Sequence, residues 1–223
     1  MRARYFFILA VTVLLSVLSV SCKQSKTNTN KTNTKETEEI KKSVPVVLVW
    51  SDSLDKALRD RAFKAAAITT RVLGKKLHLL VKKEGPEYAV EFCSKEAMRL
   101  TDSVSNAMGL NIRRLAKKYR NPDNETLGKD SLIFKKYIID WLAHQPLNEQ
   151  IIINKRGNPV YYNPIRVKHF CLTCHGEPGK TMNPDLAEKI KKHYPEDKAT
   201  GFKEGQLRGM WVITFPQYTV KKQ

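Results

Sequence analysis

The most reactive group of side chains in the sequence is Cys171-Leu172-Thr173-Cys174-His175, a C-x-x-C-H pentapeptide. Two thiols at this spacing can add across the two vinyl groups of a haem, because the two intervening residues let the sulfur atoms span one edge of the macrocycle. The adjacent imidazole would then lie under the iron as its proximal ligand. The pentapeptide therefore predicts one covalently attached c-type haem, held by Cys171, Cys174 and His175.

The same pentapeptide has three other interpretations. The first is a structural zinc site, in which the two cysteines are joined by two of the nearby histidines His169, His175 and His193. The second is a redox-active C-x-x-C pair, but no thioredoxin-like βαβ pattern surrounds it. The third is an ordinary disulfide, which so short a loop disfavours. Of the four interpretations, the sequence favours haem.

The N-terminal stretch predicts export. Arg2 and Arg4 precede an apolar segment at 5–20, which is shorter than the roughly 20 residues of a membrane span and is typical of a signal peptide. It ends in Leu-Ser-Val-Ser-Cys22, which is similar to a bacterial lipobox except that its leucine lies one position early. We expect a lipoprotein signal peptide at 1–21 and lipidation of Cys22; a plain secretory signal is the alternative. Haem attachment to a C-x-x-C-H motif takes place on the same exported side.

Composition then predicts how the domain is held. Residues 22–43 are rich in Lys, Thr, Asn, Ser and Glu, so we expect a flexible tether there and a haem-binding domain at 44–223. An anchor and tether would hold that domain at a bacterial membrane, facing the periplasm. The formal charge of +18 would suggest nucleic acid in a cytoplasmic protein. For an exported protein we expect no nucleic-acid partner, and expect the basic surface to meet anionic lipid, an acidic redox partner or an anionic cofactor. The alternative is a basic face that only keeps the protein soluble.

The hydrophobic spacing predicts an α+β fold. Apolar residues recur at helical spacing over 54–83, a segment that ends at Glu84-Gly85-Pro86, and again over 87–108, where Gly109 suits the end of the helix. The later predicted elements are a short strand within 110–119, a helix over 126–143, a hairpin of 150–154 and 159–165, and a strand within 205–215. Helices followed by hairpins favour an antiparallel sheet.

Cys93 is the cysteine that neither lipid nor haem attachment would use. It lies on the apolar face of the second predicted helix, without a disulfide partner. It could be a small buried hydrophobic residue, or a thiolate that binds the iron as the sixth ligand and lowers its reduction potential. Both interpretations are open from the residues alone. The rival sixth ligands are Met98, Met108, Met182, His78, His144, His169 and His193.

Five ordered stretches between residues 54 and 218 resemble one family. The stretches are Phe92-Cys93-Ser94; Ile112-Arg113-Arg114 with Tyr119-Arg120-Asn121-Pro122-Asp123-Asn124; Tyr162-Asn163-Pro164-Ile165; Cys171 to Pro178; and Tyr194 to Phe202 leading into Gly205, Arg208-Gly209 and the strand from Val212 to Pro216. They are similar to the exported c-type haem proteins with a PAS-like fold. That family includes a cyanobacterial protein associated with photosystem II and the sensor halves of bacterial signalling proteins.

The resemblance implies a PAS-like α+β fold in which long N-terminal helices pack against an antiparallel sheet. It also implies that His175 is the proximal ligand and that Cys93 is the distal ligand. One departure from the family is visible, because the family often has Ser or Thr after the arginine of the Ile112 segment, where this chain has Arg114 and Leu115.

Three arginines and two tyrosines are candidates for the haem propionates. Buried carboxylates need partners, and a bidentate guanidinium is the natural one. The candidate residues are Arg113, Arg114, Arg120, Tyr162 and Tyr194. For at least one of the arginines we favour a solvated surface position instead, and either tyrosine could simply pack.

These inferences predict a membrane-tethered monohaem protein with Cys93 and His175 as axial ligands. Six-coordinate iron has no open position for substrate, so we expect a redox or gas sensor or a low-potential electron carrier, not an enzyme. Since no kinase or transmembrane helix follows Gln223 in this sequence, a sensor would have to signal through a partner protein. The alternatives are a small peroxidase-like haem enzyme and a zinc-binding lipoprotein without haem.

Overall fold

A long helical hairpin lies near the start of the part of the chain that this computed structural model describes, residues 45–221. Its arms are α1 (Asp52–Glu84) and α2 (Pro86–Met108). Ser51 caps α1, because its side chain accepts a hydrogen bond from the Leu54 amide at 3.2 Å. Gly85 separates the helices at a φ of 87°, a conformation that side chains with a Cβ rarely adopt. The two predicted helices and their glycine-proline boundary are confirmed.

A four-stranded antiparallel sheet follows the hairpin. Its strand order is β2-β5-β4-β3. The strands are β2 (Asn111–Leu115), β3 (Gln150–Ile153), β4 (Pro159–Arg166) and β5 (Leu207–Thr214). The β3–β4 hairpin closes where the Gly157 amide donates to the Asn154 carbonyl at 3.0 Å. The predicted hairpin, the strand within 205–215 and the short strand within 110–119 are confirmed.

Helices cover both faces of this sheet. The α1–α2 hairpin packs on one face through a core that includes Ala62, Ile112, Tyr161, Trp211 and Ile213. The third helix, α3 (Gly128–Leu142), packs on the other through a core that includes Phe134, Tyr137, Val160, Met210 and Val212. Because successive side chains of a strand point to opposite faces, neighbouring residues of β2 belong to different layers. The predicted α+β class with an antiparallel sheet is confirmed.

Two strands and a ten-residue helix are among the elements that were not predicted. The strand β1 (Val46–Val49) pairs in parallel with β6 (Tyr218–Lys221), so the two ends of the described chain meet in a small sheet. The helix α5 (Pro184–His193) packs against α2. Its pattern was missed because its core-facing stripe is short, with only Leu186 and Ile190 buried.

Other predictions concern the start of the chain and its relation to a membrane. The predicted signal peptide, the lipidation of Cys22 and the whole of the tether 22–43 rest on residues that precede residue 45 and lie outside the described residues. Among residues 45–221, no helix combines the length and apolar character needed to cross a bilayer.

Candidate haem site

The C-x-x-C-H pentapeptide forms a compact helical segment. A short 3-10 turn (His169–Cys171) runs directly into α4 (Leu172–His175), which brings both cysteines and the histidine close together. The Gly176 amide donates to the Leu172 carbonyl at 2.8 Å and ends the helix. A Cβ atom at Gly176 would lie 2.6 Å from that same oxygen, so this closing turn requires glycine.

A cavity of about 760 Å³ lies beside the pentapeptide. It is bordered by α1, α2, β2, β5 and the pentapeptide itself, and its volume is in the range of small-molecule sites, roughly 300–1,000 Å³. The wall formed by α1 is apolar, with Leu73, Leu77 and Val81. Among its reactive lining side chains are Cys93, Arg114, Arg120, Cys171, Cys174, His175, Tyr194 and Arg208. The structure therefore brings together most of the predicted site residues.

His175 is held as a neutral imidazole of defined tautomer. Its Nδ1 lies 2.7 Å from the carbonyl oxygen of Ala199. A carbonyl oxygen only accepts, so Nδ1 carries the proton and donates it, which leaves the lone pair of Nε2 free. Burial lowers the pKa of His175 well below its ordinary value, and the charges of Arg208 and Arg120 lower it further. A neutral imidazole whose other nitrogen is hydrogen-bonded is suited to binding a metal.

Arg120 contacts the backbone of the pentapeptide. Its guanidinium pairs with the Asp197 carboxylate at 3.2 Å, and both side chains are largely buried. The same guanidinium donates to the carbonyl oxygens of Cys174, at 2.5 Å, and of Ala199, at 3.3 Å. Ala199 in turn donates its amide to Asp197 at 2.8 Å. Arg120 therefore links the second cysteine of the motif to the peptide group that accepts from His175.

Arg114 and Arg208 line the cavity, and the structure described here, from residue 45 to residue 221, gives neither of them an acidic partner. Within residues 45–221, neither guanidinium lies within 4.0 Å of a carboxylate oxygen. Arg208 donates from Nη1 to the Lys118 carbonyl at 2.9 Å, but its buried Nε has no hydrogen-bond partner in the described part of the chain. Burial lowers the pKa of Arg208 to about 9, and the charges of Arg114 and Arg120 add to this effect. Enclosed cations need counter-charges, so the arginine-lined part of the cavity fits an anionic group.

Arg208 is a site residue that the sequence reasoning did not single out as a candidate. It lies in β5, whose other residues are apolar or small apart from its terminal threonine. A charged side chain inside such a strand costs free energy unless it has a partner. That local contradiction was the signal that could have identified it.

Cys93 borders the same cavity from α2. It is a free thiol, and burial raises its pKa to about 11, while the positive charge of Arg114 opposes that rise. Tyr194 is a neighbour of this thiol, and burial raises the pKa of the Tyr194 phenol to about 12. The Cys93 thiol therefore keeps its proton at neutral pH unless a metal ion replaces it, because a coordinating thiol is deprotonated.

Two predicted propionate partners are turned to the other face of the sheet. The Tyr162 hydroxyl donates to the Asp130 carboxylate at 2.8 Å, and its ring belongs to the core beneath α3. Arg113 touches the cavity border, but its guanidinium pairs with the same Asp130 at 3.0 Å. Strand alternation sends these two side chains away from Arg114, so Tyr162 lies outside the cavity lining and Arg113 remains at the cavity border.

The alternatives to Cys93 as a ligand are placed as follows. Met98 lines the cavity, whereas Met108 packs against the α1–α2 core and Met182 is buried beside α5. His169 is exposed near Glu204, and His78 stacks on Phe170. Across the described residues, no three His, Cys, Asp or Glu side chains converge to hold a metal ion, so the alternative interpretation as a zinc site of two cysteines and two histidines has no geometry to support it.

Comparison with known proteins places this arrangement in a family. The family model described as Tll0287-like matches residues 19–216. The crystal structure of the cyanobacterial heme-protein Tll0287 is similar with a TM-score of 0.51 and 23% sequence identity, over 76% of this chain and 99% of that chain. That likeness shows a shared fold. No curated protein matches the chain. The family match spans most of the sequence, and the chain therefore belongs to the Tll0287-like family.

Proposed function

We propose that this chain is a monohaem c-type protein in which Cys171 and Cys174 bind the haem covalently and His175 is the proximal ligand. The observation that carries the proposal is the C-x-x-C-H helix at the cavity wall, with the tautomer of His175 set by Ala199. The apolar wall suits the apolar body of a haem ring. The two arginines that have no acidic partner in the described part of the chain suit its anionic propionates. The similar cyanobacterial protein is itself a heme-protein.

The arginines would have two different roles. Arg114 and Arg208, which lack acidic partners among residues 45–221, would hold the propionates. Arg120 would act as a positioning residue, because its hydrogen-bonding groups are already engaged by Asp197 and by two backbone carbonyls. Tyr194 borders the cavity near Cys93, so its hydroxyl would be available to the haem. When bound, the haem would supply a one-electron redox couple.

Cys93 would be the second axial ligand. It borders the cavity, and the adjacent Arg114 favours its charged form. A thiolate donates electron density to the iron and lowers its reduction potential. With both axial positions filled there would be no open site for substrate, so we propose a low-potential electron carrier or a redox or gas sensor and not an enzyme. Of these, the carrier is our leading assignment.

The cellular setting is part of the same proposal. The leader and the lipobox-like sequence at Cys22 support an exported lipoprotein on a 22–43 tether, facing the periplasm. The helical hairpin against an antiparallel sheet supports a PAS-like assignment of the α+β fold. Partners would be the membrane, through the anchor, and an acidic redox protein.

The haem assignment is tested on full-length protein exported in a host that has haem-attachment machinery. Haem staining after a denaturing gel and intact mass should both report one haem, because a thioether bond survives denaturation and a metal ion alone does not. A Cys171→Ala/Cys174→Ala variant should lose the stain, and Cys93→Ala should keep it. A mature wild-type chain that carries no haem contradicts the proposal.

Carrier and sensor are separated by two measurements on the haem-loaded protein. Fast, salt-sensitive one-electron exchange with an acidic redox protein supports the carrier. A change in protein association when NO or CO is added, without such exchange, supports the sensor. Sustained peroxide turnover would contradict both and support the peroxidase-like alternative.

A further inference from the structure

The second part of α1 is basic without interruption. Between Asp60 and Glu84 the sequence contains no acidic residue. The same stretch carries seven Lys or Arg residues, namely Arg61, Lys64, Arg71, Lys75, Lys76, Lys82 and Lys83. The proposed haem site uses none of them.

Four of these cations form one row along the helix, which we call the basic stripe: Lys64, Arg71, Lys75 and Lys82. They recur at positions i, i+7, i+11 and i+18, a spacing that returns to the same side of an α-helix. At a rise of about 1.5 Å per residue the row is about 27 Å long. All four are exposed, while the buried residues of α1, from Ala62 to Leu73, lie on the opposite side.

The charge of the basic stripe is not neutralised by the described part of the chain. Over residues 45–221, no carboxylate oxygen lies within 4.0 Å of any of its four cationic groups. The first turns of the same helix differ, because Lys56 pairs with Asp60 at 2.7 Å and Arg59 with Asp55 at 2.6 Å. A row of one sign produces a local field that attracts an oppositely charged surface.

An aromatic pair joins this region of α1 to the candidate haem site. The exposed His78 lies one turn beyond Lys75 and stacks on Phe170, with ring centroids 3.9 Å apart and an interplanar angle of 12°. Phe170 lines the cavity and directly precedes Cys171. The basic stripe therefore lies beside His78, and His78 contacts Phe170, the residue next to the first cysteine of the pair.

We infer that the basic stripe is the docking face for an acidic redox protein, with His78 inside the contact. That the partner is a redox protein rests on the proposed function, and the docking itself rests on charge complementarity and position. A membrane is the weaker assignment. A helix that lies in a bilayer surface inserts a continuous apolar face. The main apolar side of α1 is buried in the protein core, and its exposed Phe63 and Leu79 lie on different sides of the helix.

The test uses the full exported chain and a plant-type ferredoxin, a small acidic iron–sulfur protein, as the probe. The dissociation constant is measured by calorimetry at low and high salt. A Lys64→Glu/Lys75→Glu/Lys82→Glu variant should bind at least tenfold more weakly than wild type. The matched control is Lys129→Glu/Lys135→Glu/Lys155→Glu, which changes the net charge equally at exposed lysines off α1 and should change binding less than threefold.

A second readout locates the contact directly. Carbodiimide coupling, which joins lysine amines to carboxylates, should link the ferredoxin mainly through Lys64, Lys75 and Lys82, as read by peptide mass spectrometry. Equal loss of affinity in the two triple variants, or cross-links spread over the control lysines, overturns the proposal. Stripe-dependent binding to phosphatidylglycerol vesicles without stripe-dependent ferredoxin binding also overturns it and assigns the face to a membrane.

A failure of the docking proposal can be distinguished from a failure of the haem assignment. Calorimetry reads docking whether or not haem is attached, and haem content is read separately from the absorption spectrum. Protein without haem that still shows stripe-dependent binding would remove the proposed function and leave the docking face. Haem-loaded protein that shows no stripe-dependent binding would remove the docking face and leave the proposed function.

Discussion

The carbonyl oxygen of Ala199 accepts from both His175 Nδ1, at 2.7 Å, and Arg120 Nη2, at 3.3 Å. Arg120 is itself held by Asp197, so a buried ion pair determines where this oxygen lies. The oxygen then determines which nitrogen of His175 carries the proton. The tautomer of the predicted ligand thus depends on residues more than twenty positions away in the chain.

Removal of the Asp197 carboxylate should therefore destabilise the fold. Asp197→Ala leaves the buried Arg120 charge unpaired, which typically costs about 3 kcal/mol or more. The free energy of unfolding in urea measures the loss, and the yield of covalent haem should fall with it. Asp60→Ala is the control, because its pair with Lys56 is exposed and screened by solvent, so its loss should change the stability little. Equal losses in the two variants would contradict the role given to Asp197.

Gly176 should tolerate no side chain. Gly176→Ala would place a Cβ 2.6 Å from the Leu172 carbonyl oxygen and should cost about 1–3 kcal/mol. Gly74 lies inside α1 with open space around it, so Gly74→Ala should stabilise by up to about 1 kcal/mol. Thermal unfolding of the two variants should shift in opposite directions. A Gly176→Ala protein as stable as wild type would show that the closing turn relaxes freely.

Arg114 and Arg208, which have no acidic partner among the residues that the structure describes, should tune the reduction potential of the haem. Arg114→Leu and Arg208→Leu each remove a positive charge from the cavity, which favours the ferric state, so the midpoint potential should fall by on the order of tens of millivolts. Arg113→Leu is the control, because its guanidinium pairs with Asp130. Potentiometric titration followed by absorption measures the shifts. A shift in Arg113→Leu as large as in the other two would contradict the assignment.

Replacement of Cys93 should change the ligand field and leave the covalent attachment intact. We expect Cys93→Ala to lose the EPR signature of thiolate ligation and to raise the midpoint potential, because the electron-donating ligand is gone. Met98→Leu removes the rival sulfur at the cavity wall and should leave both unchanged. If instead Met98→Leu alters the spectrum and Cys93→Ala does not, the second ligand has been assigned to the wrong residue.

Tyr162 should matter for stability and not for the cofactor. Tyr162→Phe removes the 2.8 Å hydrogen bond to Asp130 and should cost about 1 kcal/mol. Its absorption spectrum should match that of wild type. Tyr194→Phe removes a hydroxyl from a cavity-lining ring, and we expect that variant to shift the spectrum. A spectral change in Tyr162→Phe would reinstate its role at the site.

The sequence by itself determined the features that are local in the chain. The C-x-x-C-H spacing, the Ser51 cap and the Gly85-Pro86 boundary each depend on neighbours within a few residues. The same holds for the turn at Gly157 between β3 and β4. These features predicted the long helices and the hairpin correctly because side-chain spacing and turn chemistry act at short range.

Tertiary structure alone decided which of the candidate residues share one cavity. The pairing of β2 with β5 turns Arg114 to the cavity face and Arg113 to Asp130, although the two are adjacent in sequence. The same sheet adds Arg208 to the site and takes Tyr162 away from it. Strand pairing joins segments that are distant in the chain. Only after those segments meet is it decided which charges are buried and which of them have a partner.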